Sequence, residues 1–320
     1  MAKNIPLSAV RELQSELRLL QRELPLEVHE RVDLASWSSM RIGGLGDLVI
    51  RCGSETVVAE VLSALGRIGV RYFVLGGGSN VVFDDRGLRI PLLTLGGDLA
   101  RWEIDPDGVV AGASAKLTQV CRAVARAGFS GMEGLFGIPG TLGGAVAMNA
   151  GAYGVEIFDL LDRVEIVPAG GRPVTIPAAA IGHGYRSSEL KQRGDVVTRV
   201  RLNLEPAEIS RVMGKIREIN LLRRKKLPSR PSAGSVFRNP PGDFAGRLLE
   251  AAGCKGLRVG GARITEVHAN VIVADRGATS ADVVELARTM RRRVHDRFGI
   301  LLEPEVLFLD ELGEPIDLGG

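Results

Sequence analysis

At 320 residues, with 45% hydrophobic and 25% charged residues, the chain is long enough for two or three domains with cores of their own. Its net charge of +3 is too balanced to predict a nucleic-acid binder. Three widely spaced cysteines exclude a disulfide framework and a Cys-x-x-Cys pair, and they favour a reduced compartment. No window approaches the ~18 apolar residues of a membrane helix, and no secretion signal begins the chain. We therefore expect a cytoplasmic protein without membrane insertion or nucleic acid.

Residues 1 to 29 are predicted to form a helical extension. Val10, Leu13, Leu17 and Leu20 recur at helical spacing among Arg, Gln and Glu residues, which is the pattern of an amphipathic helix. Such a helix docks either on the body of its own chain or on a partner. Docking on the body is the simpler expectation.

Residues 30 to 99 are predicted to form a small α/β unit, in which short strands flank one helix over residues 54 to 65. A strand over residues 70 to 75 leads into the loop Gly-Gly-Gly-Ser-Asn at residues 76 to 80. Three consecutive glycines followed by a hydroxyl and an amide can form a concave group of N–H donors, which suits a diphosphate. The loop has neither the Walker pattern nor the Rossmann spacing. We therefore expect a dinucleotide bound outside a Rossmann fold.

Residues 100 to 206 are predicted as a second unit, with a helix over residues 117 to 127 and several β-rich runs. Within it, residues 137 to 154 contain six glycines and no charged side chain. A segment so rich in glycine yet so apolar is unlike a solvated linker, and missing Cβ atoms let the backbone approach a ligand closely. We expect it to contact a flat, uncharged ligand surface, with tight turns between small-residue strands as the alternative.

Residues 207 to 320 are predicted as a third unit, which begins with a basic helix. The basic run at residues 223 to 226 ends that helix directly before a proline-rich loop, where it could bind an anionic group such as a diphosphate. A favourable interaction with the helix dipole alone is the alternative. A later helix is predicted to begin at Thr279 and Ser280, with an apolar face that leaves the arginine run 291 to 293 mostly in solvent.

The loop over residues 227 to 241 carries four prolines around a small-residue turn that contains Ser235. Because prolines fix the chain on both sides, the Ser235 hydroxyl would be held in one place. The Gly-x-Ser-x-Gly pattern is absent and none of the four histidines offers a recognisable triad partner, so we expect a proton donor or hydrogen-bonding serine rather than a nucleophile. The alternative is a serine that caps the turn.

The apolar run at residues 301 to 309 is predicted as a strand that carries two carboxylates, Glu303 and Glu305, on one face. Glu305 lies closer to the middle of the run and is therefore the one expected to be partly buried. Burial would raise its pKa and suit it to proton chemistry. A solvated edge strand is the alternative.

Several of these segments, in their order and spacing, resemble the UDP-N-acetylenolpyruvoylglucosamine reductase family. The motifs that carry the resemblance are residues 76 to 80, 137 to 154, 184 to 188, 231 to 240, 260 to 261, 268 to 270 and 302 to 306. The resemblance runs from about residue 37 to residue 309 and implies an α+β fold. A two-lobed FAD-binding domain of the vanillyl-alcohol-oxidase type would occupy residues 30 to 99 and 100 to 206. A substrate-binding domain would occupy residues 207 to 320, with a last strand that could pack back on the second lobe.

The resemblance implies an NADPH-dependent flavoenzyme of peptidoglycan precursor synthesis, with FAD bound non-covalently. NADPH would reduce the flavin and leave, and the enolpyruvyl group of UDP-N-acetylglucosamine enolpyruvate would then be reduced to give UDP-N-acetylmuramate. Three positions match catalytic residues of the family. Arg186 would bind the enolpyruvyl carboxylate and stabilise the enolate, Ser235 would donate a proton, and Glu305 would assist as a carboxylic acid.

The resemblance also implies ligand contacts, with no metal and with a monomer favoured. The positions that match FAD contacts are Arg41, Gly43, Gly76, Gly77, Gly78, Ser79, Asn80, Gly137, Ile138, Pro139, Gly140, Thr141, Gly143, Gly144 and Ala145. The positions that match substrate contacts are Tyr185, Lys226, Asn239 and His268.

The chain departs from the commoner family pattern in two places. Its first flavin motif begins with Ser38 and Ser39 rather than Asn-Thr, which slightly weakens the flavin contact expected there. No extra tyrosine loop occurs between residues 191 and 223, so the chain resembles the shorter, loop-less branch.

Two rival functions stay open at this point. Another flavoenzyme of the same FAD-binding type, such as a sugar or lactone oxidase, would share both glycine loops. It would give no reason for Arg186, Ser235 and Glu305 to occur together. A non-catalytic nucleotide-binding protein would be expected to lack at least one of the three.

Overall fold

A computed structural model describes residues 7 to 319 of the chain, which form α-helices and mostly short strands. No helix in that range is both long and apolar enough to cross a membrane. The helices are α1 (Leu7–Glu23), α2 (Glu55–Ile68), α3 (Leu117–Arg126), α4 (Leu142–Ala147), α5 (Glu189–Arg193), α6 (Ile209–Lys226), α7 (Ala245–Ala251) and α8 (Ser280–Phe298). The strands are β1 (Leu26–Asp33), β2 (Leu45–Cys52), β3 (Phe73–Val74), β4 (Val81–Phe83), β5 (Leu92–Leu95), β6 (Trp102–Asp105), β7 (Gly108–Gly112), β8 (Phe129–Ser130), β9 (Gly151–Ala152), β10 (Val155–Glu156), β11 (Leu161–Val167), β12 (Val174–Pro177), β13 (His183–Gly184), β14 (Ser187–Ser188), β15 (Val196–Asn203), β16 (Glu205–Pro206), β17 (Arg258–Val259), β18 (Ala262–Ile264), β19 (Ile272–Ala274) and β20 (Leu307–Leu309).

The first sheet has the strand order β1-β2-β5-β3, with β1 antiparallel to β2 and with β5 parallel to both of its neighbours. Helix α2 packs Val57 and Val61 into the core of this unit, as its apolar spacing predicts. Ser54 caps the helix, because its hydroxyl oxygen accepts a hydrogen bond from the backbone N–H of Val57 at 3.4 Å. The helix predicted over residues 54 to 65 is therefore confirmed, and it continues to Ile68.

Helix α1 docks on this first unit, which confirms the simpler expectation that it packs on the body of its own chain. Leu13 and Leu17 are buried in the same apolar cluster as the core face of α2. Glu16 of α1 also forms an ion pair with Arg67 of α2. Residues 1 to 6 of the predicted extension lie outside the described residues. Strand β1 begins within the segment predicted as the extension, so the last residues of that segment belong to the sheet.

The second sheet is antiparallel throughout, with the order β12-β11-β15-β7-β6. The helix predicted over residues 117 to 127 is confirmed as α3, which packs Val120 against this sheet together with Val146 of α4. Helix α6 adds Val212 and Ile216 to the same cluster. The sequence places α6 in the third unit, yet its apolar side chains belong to the core of the second.

The third unit packs α7 and α8 against the antiparallel sheet β17-β18-β19. Helix α8 begins where it is predicted to begin. The Thr279 hydroxyl oxygen accepts from the Asp282 N–H at 3.1 Å, and the Asp282 carboxylate accepts from the Thr279 N–H at 3.0 Å. This reciprocal capping box satisfies two N–H groups that the helix itself leaves unpaired.

The last strand, β20, pairs in parallel with β4 of the first unit. The suggestion that this strand packs back on the second lobe is therefore wrong. Val82 of β4 and Phe308 of β20 are buried in one apolar cluster with residues of the third unit. This shared burial stabilises the pairing of β20 with the first lobe. The strand is also shorter than the predicted run 301 to 309, because Pro304 lacks an N–H and makes only an isolated bridge with Phe237.

Candidate functional site

A cleft of about 1460 Å³ runs between the first two units and the loops of the third. Pockets for drug-sized ligands occupy roughly 300–1,000 Å³, so this cleft can hold an extended ligand or two ligands together. Two glycine-rich loops, residues 76 to 80 and residues 138 to 145, form one part of its wall. Arg186, Ser235 and Glu305 line another part, which we call the charged end.

The two glycine-rich loops touch each other through their backbones. A Cβ atom on Gly77 would lie 2.5 Å from the Cα atom of Gly140, and a Cβ atom on Gly76 would lie 2.7 Å from the hydroxyl oxygen of Thr141. Ser79 ties the loops together, since its hydroxyl donates to the Pro139 carbonyl at 3.1 Å. Glycine is required here because any side chain would push the loops apart.

The first glycine loop presents free backbone donors. Within residues 7 to 319, the N–H groups of residues 76 to 80 donate no hydrogen bond to another residue, whereas the carbonyls of Gly78 and Asn80 accept from Ser39 and Leu307. Successive free N–H groups can bind phosphate oxygens without a lysine. The buried hydroxyl of Ser114 also lines the cleft and has no partner in that part of the chain. These residues fit the diphosphate and polar groups of a dinucleotide.

Arg186 lies in the tight turn between β13 and β14. Its backbone φ of +55° is a left-handed conformation that residues other than glycine rarely adopt, and such strain concentrates at functional sites. Its guanidinium donates to the carbonyl oxygens of Asn149 at 3.3 Å and of Gly151 at 2.5 Å. With only 18% of its side chain exposed, Arg186 is a cation held by the protein rather than by water.

Two carboxylates flank the guanidinium of Arg186. The Glu156 Oε1 atom lies 3.5 Å from Nη1, and the Glu305 Oε1 atom lies 3.6 Å from Nε. Burial raises the pKa of the Glu305 carboxyl above its ordinary value, although the charges of Arg186, Arg238 and Lys191 oppose the shift. The raised pKa favours a carboxyl that keeps its proton beside the guanidinium.

The prediction that Glu305 is the more buried of the two carboxylates is confirmed. Its side chain is 19% exposed, whereas that of Glu303 is 77% exposed. The return of β20 to the first unit explains this burial. The Asn80 side-chain amide donates to the Glu305 carbonyl at 2.9 Å, and the Leu307 N–H donates to the Asn80 carbonyl at 3.0 Å. Glu305 therefore joins the glycine loop of the first unit to the charged end.

Ser235 reaches the cleft from the proline-bounded loop. It forms an isolated bridge with Val271, and the next residue, Val236, accepts from the backbone N–H of Glu305 at 2.8 Å. The buried Asn270 side chain holds the loop from behind, because its Oδ1 accepts from the Phe237 N–H at 3.0 Å and its amide donates to the Phe237 carbonyl at 2.8 Å. Ser235 and Glu305 thus lie on directly paired chain segments.

Two of the predicted substrate contacts also line the charged end. The Asn239 amide donates to the Tyr185 hydroxyl at 3.1 Å, and the Asn239 Oδ1 atom accepts from the Ala245 N–H at 3.0 Å. The Arg186 guanidinium lies over the Tyr185 ring, 4.8 Å from its centroid. The exposed aromatic ring and the amide offer a surface for a base or a sugar beside the arginine.

Five predicted contact residues lie outside the cleft lining. Gly43 packs against the core of the first unit, and Gly137 backs onto Arg223, whose own side chain does line the cleft. His268 is half-buried, and its pKa is lowered by burial and by the nearby charges of Lys255 and Lys226. Their ligand contacts stay predictions. The five residues are Arg41, Gly43, Gly137, Lys226 and His268.

Sequence reasoning missed two residues that touch Arg186. Asn149 lies inside the glycine-rich segment and Glu156 lies just beyond it, and neither was predicted as a site residue. The available signal was local: asparagine is the residue, apart from glycine, that best tolerates a left-handed backbone, and Asn149 has a φ of +42°. Their contact with Arg186 depends on a fold that the local sequence does not reveal.

Two family models match the chain. The FAD binding domain matches residues 46 to 177, and the C-terminal domain of UDP-N-acetylenolpyruvoylglucosamine reductase matches residues 226 to 309. The second match begins at the last residue of α6, whose apolar side chains belong to the core of the second unit.

Relatives named UDP-N-acetylenolpyruvoylglucosamine reductase match most of the chain. The protein from Anaeromyxobacter dehalogenans is 43% identical over 288 residues, which are 90% of this chain and 87% of the relative. The protein from Rubrobacter xylanophilus is 40% identical over 293 residues, covering 91% and 98%. The crystal structure of UDP-N-acetylenolpyruvylglucosamine reductase from Thermus caldophilus superposes with a TM-score of 0.76 at 35% identity, covering 89% of this chain and 99% of that one.

Proposed function

The chain belongs to the UDP-N-acetylenolpyruvoylglucosamine reductase family, and from this membership we propose that it reduces UDP-N-acetylglucosamine enolpyruvate to UDP-N-acetylmuramate with NADPH. The predicted family is confirmed, as is the α+β fold with a two-lobed FAD-binding domain of the vanillyl-alcohol-oxidase type. The reaction is a step of peptidoglycan precursor synthesis. Neither rival function accounts for relatives that match along nine-tenths of the chain.

The cofactor is FAD, which when bound takes a hydride from NADPH and passes it to the methylene carbon of the enolpyruvyl group. The free N–H groups of residues 76 to 80 would hold its diphosphate, and the uncharged loop of residues 138 to 145 would contact its flat ring. Attachment would be non-covalent, because neither loop contains Cys or His and the cysteines Cys52, Cys121 and Cys254 are buried in apolar cores.

Arg186 would bind the carboxylate of the enolpyruvyl group. Hydride addition to the methylene carbon places negative charge on the neighbouring carbon and on that carboxylate. A guanidinium that is already desolvated and oriented stabilises this charge more strongly than water does. The strained backbone and the two carbonyl acceptors support this role, since they keep the cation in one place before the substrate arrives.

Ser235 would then donate a proton to the carbon that carries the enolate charge. A serine hydroxyl is a weak acid in water, but an enolate is basic enough to take its proton when both are held at hydrogen-bond distance. The fixed backbone of the loop supports this role. Glu305, whose pKa is raised by burial, would keep a proton beside it and assist as an acid.

The nucleotide part of the substrate would lie along the third unit. Tyr185 and Asn239 line the cleft next to Arg186, and Lys226 lies near His268, so a basic group is available for the diphosphate. Without the extra tyrosine loop, the diphosphate would be held by these side chains alone. We further propose that the enzyme is cytoplasmic, as its free cysteines and nucleotide-linked substrate favour. We also propose that it is a monomer, which size-exclusion chromatography tests.

The observation that carries this function is the meeting of Arg186, Ser235 and Glu305 at one end of a cleft whose other wall fits a dinucleotide. The test follows the visible spectrum of the purified protein without oxygen. One equivalent of NADPH should bleach the flavin spectrum, and only the enolpyruvyl sugar nucleotide should restore it. A protein that stays colourless with added FAD, or a bleached flavin that the sugar nucleotide does not reoxidise, contradicts the function.

A further inference from the structure

We propose that Asn149 and Glu156 are a positioning pair that pins one edge of the Arg186 guanidinium and leaves the other edge free for the substrate carboxylate. The inference rests on the proposed function, because that function gives Arg186 its carboxylate ligand. Asn149 and Glu156 lie at the two ends of one short segment. Both contact Arg186. They belong to the second unit, whose loop of residues 138 to 145 fits the cofactor rather than the substrate.

Asn149 is fully buried and uses every polar group of its side chain. Its amide nitrogen donates to the Glu156 Oε2 atom at 2.7 Å and to the Gly184 carbonyl at 3.0 Å, while its Oδ1 atom accepts from the Phe158 N–H at 3.4 Å. Because two acceptors face the nitrogen and a donor faces the oxygen, the amide has only one satisfactory orientation. The side chain thereby fixes Gly184, two residues before Arg186.

Glu156 is held at a defined distance from Asn149 by the hairpin of β9 and β10. The two turn residues, Tyr153 and Gly154, have φ values of +53° and +79°, as a two-residue type I′ turn requires. One carboxylate oxygen of Glu156 takes the Asn149 amide, and the other lies 3.5 Å from Arg186 Nη1. The hairpin therefore fixes the position of Glu156, and through it the position of the Arg186 guanidinium.

A count of donors shows which edge of the guanidinium is occupied. Arginine has five N–H donors: two on each terminal nitrogen and one on Nε. The two on Nη1 have acceptors in Asn149 O and Glu156 Oε1, and one on Nη2 has an acceptor in Gly151 O. Within residues 7 to 319, the remaining N–H of Nη2 and the Nε–H have no acceptor at hydrogen-bond distance, and they form the edge that can bind a carboxylate with two parallel hydrogen bonds. That free edge faces Glu305 and the cleft.

The pair also explains how a strained arginine is kept in place. A left-handed backbone at Arg186 persists only where its surroundings over-determine it. The bonds from Asn149 to Gly184 and from Arg186 back to the 149 to 156 segment close a ring around that backbone. Loss of either member would let the guanidinium rotate away from the orientation that the carboxylate requires.

The experiment compares Asn149→Ala and Glu156→Gln with the wild-type holoenzyme. The rates of flavin reduction by NADPH and of flavin reoxidation by the sugar nucleotide are measured separately by stopped-flow absorbance. Calorimetry gives the affinity of the oxidised enzyme for the sugar nucleotide. Only reoxidation and sugar-nucleotide binding use the substrate carboxylate. We expect reoxidation to slow about 100-fold in Asn149→Ala and about 10-fold in Glu156→Gln, with weaker binding in both and flavin reduction unchanged.

Glu133→Gln is the matched control, because Glu133 is a buried carboxylate of the same lobe that bonds Ser130 and Gly131 instead of Arg186. It should leave both rates unchanged. If Asn149→Ala fails to fold, Glu156→Gln carries the test, since it keeps the size of the side chain. Slowing of both rates alike, or of neither, overturns the positioning pair.

The proposed function and the positioning pair fail in different ways. A wild-type enzyme that does not complete the flavin cycle overturns the function. In that case the calorimetric affinities still test the proposal that Asn149 and Glu156 position Arg186. Weakened binding of the carboxylate-bearing nucleotide in both variants supports the proposal, and unchanged binding overturns it.

Discussion

The two glycine-rich loops and the charged end of the cleft bind in opposite ways. The first loop offers backbone N–H groups of residues that follow one another in the sequence, and the glycines of both loops are needed because nothing larger fits between Gly77 and Gly140. The charged end offers side chains of Arg186, Ser235 and Glu305, which come from three separate segments. The first region is therefore sensitive to added atoms, and the second to lost functional groups.

The energetics of the two regions differ as well. Neutral N–H donors bind an anion without burying a charge of their own, so the first loop costs the protein little before a ligand binds. A buried cation costs several kcal/mol unless it is paired and hydrogen-bonded. At the charged end this cost is offset by two carbonyls and by the carboxylate of Glu156 around Arg186. Such a site needs more of the fold to support it.

The largest effect is expected for Ser235→Ala, which removes a functional group from the charged end without adding atoms. Loss of the proton donor should slow flavin reoxidation by the sugar nucleotide about 10²–10⁴-fold. Flavin reduction by NADPH should not change, because it does not use this proton. Stopped-flow absorbance measures both rates. Ser232→Ala in the same loop is the control, since Ser232 does not line the cleft. Equal losses in the two variants would show that the loop, and not the hydroxyl, matters.

A smaller effect is expected for Gly77→Ala, which adds one atom to the glycine loops. Its Cβ atom would lie 2.5 Å from the Gly140 Cα atom, so the loops must separate at a cost of about 1–3 kcal/mol. We expect FAD affinity to fall about 10–100-fold, as measured by fluorescence titration of the apoprotein. Gly66→Ala in α2 is the control, because its nearest atom would be 3.8 Å away. Tight FAD binding by Gly77→Ala would contradict the close contact of the loops.

The smallest effect is expected for Glu305→Gln, and it depends on pH. The raised pKa means that the folded enzyme keeps the Glu305 proton above the ordinary value of 4.5. If this proton assists Ser235, the rate of flavin reoxidation is full below the raised pKa and falls as the pH increases through it. Glutamine does not titrate, so the variant should lose this alkaline limb, with a rate about 10-fold below the wild-type plateau.

The same substitution should alter stability with the matching sign. A carboxyl whose pKa is raised by folding contributes stability below its unfolded pKa and loses that contribution as the pH increases through its folded pKa. The free energy of unfolding of the Glu305→Gln variant should therefore decrease less than that of the wild type as the pH increases. Thermal unfolding at several pH values measures this difference. An identical pH dependence of both proteins would show that folding does not raise the pKa of Glu305.

Local patterns in the sequence predicted much of this molecule. The apolar spacing and the caps of α2 and α8 predicted two long helices, since helix starts depend on residues within one turn. The position of Glu305 nearer the middle of its apolar run predicted that it is more buried than Glu303. The glycine loops were predicted as ligand-contacting backbone, because a missing Cβ atom is visible in the sequence itself. Both loops line the cleft, and their ligand contacts stay predictions.

Other features could not be predicted from local patterns. Arg41 and Gly43 match a flavin motif, yet they lie outside the cleft lining. The partner of β20 depends on a buried contact between Val82 and Phe308, which are far apart in the chain. The contact of Asn149 with Arg186 likewise requires two loops to meet, and no periodicity in either loop encodes that meeting.

The sequence by itself determined the family, the glycine backbone of one wall of the cleft and the chemical types of Arg186, Ser235 and Glu305. These depend on residue identity and on spacing within short segments. Only the tertiary structure decided that the three side chains converge, that β20 carries Glu305 to Asn80 and that one edge of Arg186 is pinned. The physical reason is that burial, pKa and hydrogen-bond partners are set by neighbours in space, which long-range strand pairing and core packing bring together.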